Sequence, residues 1–176
     1  MLAAAAVHQL RLDKLIVTVT GVPWQKLGSR PISDAATRLH MAKLAFAAVE
    51  RVVVSDIELR RDGDTYTVDT LAELSDDDTE LFLLLGSDTA AGLDTWDRPD
   101  EVSRLATIAV FPRRGYEDAK PPPGFEWEAL ELPDLEISST DIRRRAAVGE
   151  PIAGLVPSSV MRVIEDEKLY TPDPGT

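Results

Sequence analysis

Leu135-Glu136-Ile137-Ser138-Ser139-Thr140-Asp141-Ile142-Arg143-Arg144-Arg145 reads as a loop that turns directly into a helix. Ser138-Ser139-Thr140-Asp141 has the capping-box pattern, a hydroxyl followed three residues later by an acid. A helix start offers backbone N–H groups without intrahelical partners and the positive end of the dipole. Hydroxyls at that end, with Arg143 close by, make a seat for phosphate. The competing reading of a lone capping box is an ordinary surface helix with solvated arginines.

Upstream of this turn, short apolar runs alternate with helical patterns. Leu15 to Thr20 is β-branched and apolar, and Gly21-Val22-Pro23 ends it, which predicts a buried strand. Ser33 predicts the cap of a helix over roughly 34–49, with Leu39, Ala42, Phe46 and Val49 as its core stripe. Val52–Leu59, Glu80–Leu85, Thr107–Phe111 and Ala129–Leu132 predict four further strands. A short helix follows Thr65–Leu71, and Pro157 opens a terminal helix with Val160, Val163 and Ile164 inward. Residues 2–12 read as the tail of a helix, residues 117–127 as a flexible loop, and Thr171–Thr176 as a loose tail. This alternation implies βαβ units with right-handed crossovers. The expected fold is α/β and Rossmann-like, a doubly wound, mostly parallel sheet with helices on both faces. No linker is long enough to split the chain, so residues 1–176 are read as one domain.

Composition narrows the chemistry. The 176 residues are 44% apolar and 28% charged, which suits a globular chain with a proper core. Cysteine is absent, so disulfides, zinc thiolates and cysteine nucleophiles are excluded, in keeping with a reducing, cytoplasmic setting. No apolar run approaches the ~20 residues of a membrane span. The formal net charge of −12 disfavours nucleic-acid and anionic-membrane partners. A nucleotide site must then be a local concentration of Arg, Lys and backbone N–H.

Candidate residues cluster after the strands, where open α/β sheets carry their ligands. Lys26 follows the first strand in Val22-Pro23-Trp24-Gln25-Lys26, and a solvated lysine is its bland reading. Asp88 lies just past the third strand, placed either to accept from ribose hydroxyls or to cap the next helix. Thr67 sits at a helix entry, where capping is the plain alternative. Trp96 and Arg113 lie further along, and Arg38 is read as an exposed helix arginine.

Five segments in series resemble the nicotinate-nucleotide adenylyltransferase family of the nucleotidyltransferase superfamily. Val22-Pro23-Trp24-Gln25-Lys26 is similar to its substrate loop, and Thr65-Tyr66-Thr67-Val68-Asp69-Thr70-Leu71 to its (S/T)YT-x-DTL motif. Leu85-Gly86-Ser87-Asp88 with Trp96 resembles LGxD…W. Pro112-Arg113-Arg114-Gly115-Tyr116 resembles PRPGY, with Arg114 in place of proline, and Ile137–Arg143 resembles ISSTxIR. The resemblance implies transfer of AMP from ATP to nicotinate mononucleotide, with Mg²⁺ assisting and no covalent intermediate. It implies that Ser138, Ser139, Thr140 and Arg143 hold the ATP phosphates and that Asp88 binds ATP ribose. It also implies that Thr67 and Trp96 hold the nicotinate carboxylate and ring, and that Lys26 and Arg113 hold substrate anions. A phosphopantetheine or nicotinamide-nucleotide adenylyltransferase is a sister reading, and an inactive nucleotide-binding relative is the alternative from another class.

One part of the family pattern is missing. The family opens with a strand and a GxFDPxHxGH loop whose two histidines carry most of the rate enhancement. His8 has neither GxFDP before it nor Gly-His after it, so the catalytic residues stay unassigned. Met1-Leu2-Ala3-Ala4 resembles the helix that follows that loop. The expectation is therefore a fold lacking its first strand, with Met1 an internal methionine of a longer protein. Strands left with unpaired edges would make such a chain marginally stable or associated with copies of itself.

Overall fold

The computed structural model describes residues 1–21, 33–132 and 137–171. Lys26 and its loop, the start of the Leu135–Arg145 stretch and the end of the tail lie outside them. The described elements alternate as expected. They are α1 (Leu2–Gln9), β1 (Leu15–Thr18), α2 (Ala35–Phe46), β2 (Val52–Ser55), α3 (Thr67–Leu74), β3 (Phe82–Gly86), α4 (Ser87–Ala90), α5 (Pro99–Leu105), β4 (Thr107–Phe111), β5 (Trp127–Ala129), α6 (Ser139–Ala147) and α7 (Ser158–Asp166). Among the described residues, the 3₁₀ turns Ile57–Arg60 and Leu93–Thr95 follow β2 and α4.

Every strand pair is parallel. The strands form a two-stranded sheet, β1-β2, and a three-stranded sheet, β3-β4-β5. Among the described residues β1 pairs with β2 alone and β3 with β4 alone, so each has one edge without a ladder. The register sets Leu84 beside Ala109 and Gly86 beside Phe111.

Strand alternation divides the larger sheet between two cores. Leu83, Leu85, Ile108 and Val110 face a cluster with Val68 and Leu71 of α3 and Val102 of α5. Leu84, Ala109 and Phe111 face a second cluster with Ala3 and Ala6 of α1. That second cluster also takes in Leu15, Val17 and Val52, so α1 joins strands of both sheets. Burying side chains such as Ile108 and Val102 completely contributes about 1.5–3 kcal/mol each. A third cluster joins α2, α6 and α7 through Met41, Leu44, Ile142, Val160 and Ile164.

Several expectations are corrected. The second strand stops at Ser55, because the Ser55 hydroxyl accepts the Ile57 N–H (3.2 Å) and turns the chain into the 3₁₀ helix. Asp34, not Ser33, caps α2, accepting the Thr37 N–H at 2.9 Å. None of α2's residues is fully buried, since the helix serves two clusters: Phe46 meets the α1 core, while Met41, Leu44 and Ala45 meet α7. The last strand begins earlier than expected, at Trp127, because the Ile108 N–H already donates to the Glu126 carbonyl (2.9 Å).

Candidate active site

The carboxyl ends of β3 and β4 assemble the first group of residues. Gly86 ends β3, and the chain turns at once into α4, leaving Asp88 exposed in its first turn. Asp88 makes no side-chain cap to α4, so the capping alternative does not apply. Beyond β4, the Arg113 N–H donates to the buried Ser87 hydroxyl at 3.0 Å. This bond folds the Pro112-Arg113 turn back over the end of β3. The Arg113 guanidinium lies 5.3 Å from the Phe111 ring centroid and 3.9 Å from Asp88 Oδ1. Both side chains are about half exposed, so the pair is weak and open to exchange with a ligand.

The second group lies where α3 begins and where the Leu93–Thr95 turn ends. Thr67 is the first residue of α3, and Tyr66 occupies the N-cap without a side-chain cap bond. The first turn of α3 therefore keeps backbone N–H groups without intrahelical partners. Trp96 closes the 3₁₀ turn, half-buried against the same cluster that Tyr66 touches. Arg61 secures this helix: it donates to Thr70 Oγ1 (2.8 Å) and the Asp69 carbonyl (3.2 Å), and pairs with Glu73. Thr70 in turn donates to the buried Glu58 (3.1 Å).

The third group is the start of α6. Ser138 caps the helix, accepting the Asp141 N–H at 3.0 Å. The reciprocal half of the box is not made. The Asp141 carboxylate accepts instead from Arg145 Nε (2.7 Å) and Arg144 (3.0 Å). Arg145 and then Arg144 hold Asp141 below the usual carboxylate range. Arg144 also pairs with Glu150 at 3.0 Å, which lowers that carboxyl too. Arg144 and Arg145 thus face acids along the helix. Arg143 turns toward the helix start and donates to Ser139 Oγ at 3.1 Å. Ser138, Ser139 and Thr140 are all exposed.

Sequence reasoning missed several contributors. Arg38, expected to be solvated, donates to the carbonyls of Thr20 (2.6 Å), Gly21 (3.0 Å) and Ser33 (3.0 Å), on either side of residues 22–32. Gly86 belongs to the Leu85-Gly86-Ser87-Asp88 segment, and its lack of a side chain is what lets Asp88 and Arg113 approach. Arg98 had only its place after Trp96 and Asp97 as a signal. His8 is exposed on the last turn of α1. Among the described residues no group of three or more His, Asp or Glu side chains is placed to hold a metal.

The cytidylyltransferase-like family model matches residues 1–145. A probable nicotinate-nucleotide adenylyltransferase of Corynebacterium kroppenstedtii is 40% identical, covering 98% of this chain and 84% of its own. The corresponding Streptomyces coelicolor protein is 39% identical, covering 96% and 90%. The solved structure of Plasmodium falciparum nicotinic acid mononucleotide adenylyltransferase complexed with NaAD superposes with a TM-score of 0.74. It covers 96% of this chain and 88% of that one at 16% identity, a likeness of fold.

Proposed function

This chain belongs to the cytidylyltransferase-like family, in its nicotinate-nucleotide adenylyltransferase group, and on that footing we propose that it transfers AMP from ATP to nicotinate mononucleotide. A phosphate oxygen of the mononucleotide attacks the α-phosphorus of ATP. The bond from that phosphorus to the bridging oxygen breaks, and pyrophosphate leaves with the electron pair. Nicotinate adenine dinucleotide is the other product. Such a displacement needs alignment and charge neutralisation, not a protein nucleophile.

The observation that carries the reading is the Gly86–Asp88–Arg113 arrangement, an acid and a base side by side at the carboxyl ends of two parallel strands. Asp88 suits ribose hydroxyls, and Arg113 a substrate anion. Ser138, Ser139, Thr140 and Arg143, at the start of α6, suit the ATP phosphates. Thr67 and the α3 start suit the nicotinate carboxylate, and Trp96 the ring. Lys26 joins them as an anion-binding residue from the sequence motif. Mg²⁺ fits as a companion of ATP, with the phosphates supplying most ligands, since this ion takes few from protein. No helix among the described residues is long and apolar enough to cross a membrane. The cytoplasm, where ATP and its nucleotide partner meet, is the setting this reading implies.

Titration with each nucleotide, followed by a pyrophosphate-release assay, tests the proposal. Binding of both substrates with pyrophosphate released is expected. ATP binding without turnover would identify an inactive nucleotide-binding relative. Trp96→Ala should weaken nicotinate mononucleotide about tenfold, as loss of a stacking contact does, while sparing ATP. Equal losses for both would make Trp96 a purely structural residue.

A further inference from the structure

Arg98 stands in the left-handed region, with φ 48° and ψ 58°, where an arginine is a poor intrinsic choice. Its guanidinium is surrounded by three carboxylates. Nε donates to Asp97 at 2.7 Å, one terminal nitrogen donates to Asp69 at 2.5 Å, and the other lies 3.6 Å from Glu101. Asp97 and Glu101 belong to Arg98's own segment. The Asp69 bond crosses to α3.

That crossing joins two particular places. Asp69 is the third residue of α3, two after Thr67. Arg98 is two residues after Trp96. Helix α3 is already held by Arg61 and, through Thr70, by Glu58. Leu93 and Val102 anchor the ends of the Trp96 segment in the core they share with α3, and the Asp69–Arg98 bond ties the exposed stretch between them to the first turn of that helix. We propose that Arg98 is a positioning residue, which registers the Trp96 segment against the first turn of α3 and so sets the spacing between Trp96 and Thr67. The proposal rests on the nicotinate assignment of those two residues.

The energetics favour a geometric role over a stabilising one. The Arg98 and Asp69 side chains are 45% and 39% exposed, and exposed ion pairs contribute little to stability. A guanidinium held at three corners nevertheless has one orientation, and small misplacements at a binding site are costly. Pro99 continues the constraint, because its fixed φ starts α5 immediately after Arg98.

Asp69→Asn removes the crossing charge and leaves the pairs of Arg98 with Asp97 and Glu101 intact. Arg98→Gly suits the left-handed backbone, so the fold should persist without the bond. Each variant should weaken nicotinate mononucleotide about tenfold by titration while ATP affinity stays within about twofold. The double variant should be no worse than either single one. Additive losses, or equal losses for ATP, overturn the proposal. Fluorine NMR of protein carrying 5-fluorotryptophan gives a readout without ligand. The Trp96 line, assigned with Trp96→Phe, should shift or broaden in both variants, while the Trp127 line stays in place. An unmoved Trp96 line overturns the tie itself. A wild-type protein that takes up no nicotinate mononucleotide overturns the functional assignment and the ligand half of this proposal, and the NMR result still decides the structural half.

Discussion

A Cβ on Gly86 would lie 2.5 Å from Asp88 Oδ1. The same atom would meet the Arg113 side chain at 3.0–3.1 Å. Gly86 is not in the left-handed region, since its φ is −68°, so crowding and not backbone freedom demands a glycine here. The obstructed atoms belong to two half-exposed side chains, which can turn away at little cost to the fold. Gly86→Ala should therefore leave the melting temperature nearly unchanged while displacing Asp88 and Arg113. ATP affinity by titration should fall about tenfold, as expected when charge-assisted contacts are misaligned. Unchanged affinity would remove Asp88 from the site.

Arg143 tests the α6 seat. Replacing it with alanine removes a charge-assisted bond to phosphate worth roughly 1.5–3 kcal/mol. ATP should then bind about tenfold more weakly or worse. Arg144→Ala is the control, because Arg144 faces Asp141 and Glu150. Equal effects of the two substitutions on ATP would show a diffuse basic surface instead of a seat.

Thr65 carries a buried hydroxyl with no hydrogen-bond partner among the described residues. An unsatisfied buried polar group costs about 1–3 kcal/mol, and a methyl of the same shape does not. Thr65→Val should match or exceed the wild-type melting temperature, each kcal/mol appearing as roughly 2–4 °C in a chain of this size. A clear fall in thermal denaturation would mean the hydroxyl is satisfied in solution.

Acid should loosen the start of α6. Asp141 and Glu150 both have depressed pKa values in the folded chain, through their arginine partners. Their contribution is present above the unfolded carboxylate range and is lost as pH falls below about 4 and through the folded values. Amide exchange over residues 139–147 should speed up in that window before the β3–β4 core responds. Asp141→Asn should flatten the dependence. Protection that grows with acid would contradict the assignment.

Among the described residues β1 and β3 each keep one edge without a ladder, which predicts association between copies. Light scattering should give an apparent mass that rises with protein concentration. A constant monomer mass across the range would show that those edges are covered in solution.

Local patterns determined much of this protein. Apolar runs bounded by glycine and proline placed the strands, and all of the described ladders are parallel as the βαβ alternation implied. The Ser138 cap was legible because a capping bond spans three residues and needs no distant partner. Strand ends were misplaced where a nearby side chain or a distant ladder competed, as Ser55 and Glu126 do. Tertiary structure alone decided which polar groups distant in sequence meet. Arg98 and Asp69 are 29 residues apart, and Arg113 and Ser87 are 26 apart. Along α6 the pairs are local instead: Asp141 takes Arg144 and Arg145 three and four residues on, and Arg143 donates to Ser139 at the helix start. Periodicity reports which face of an element is apolar, whereas the partner of a polar side chain depends on how whole elements pack against one another.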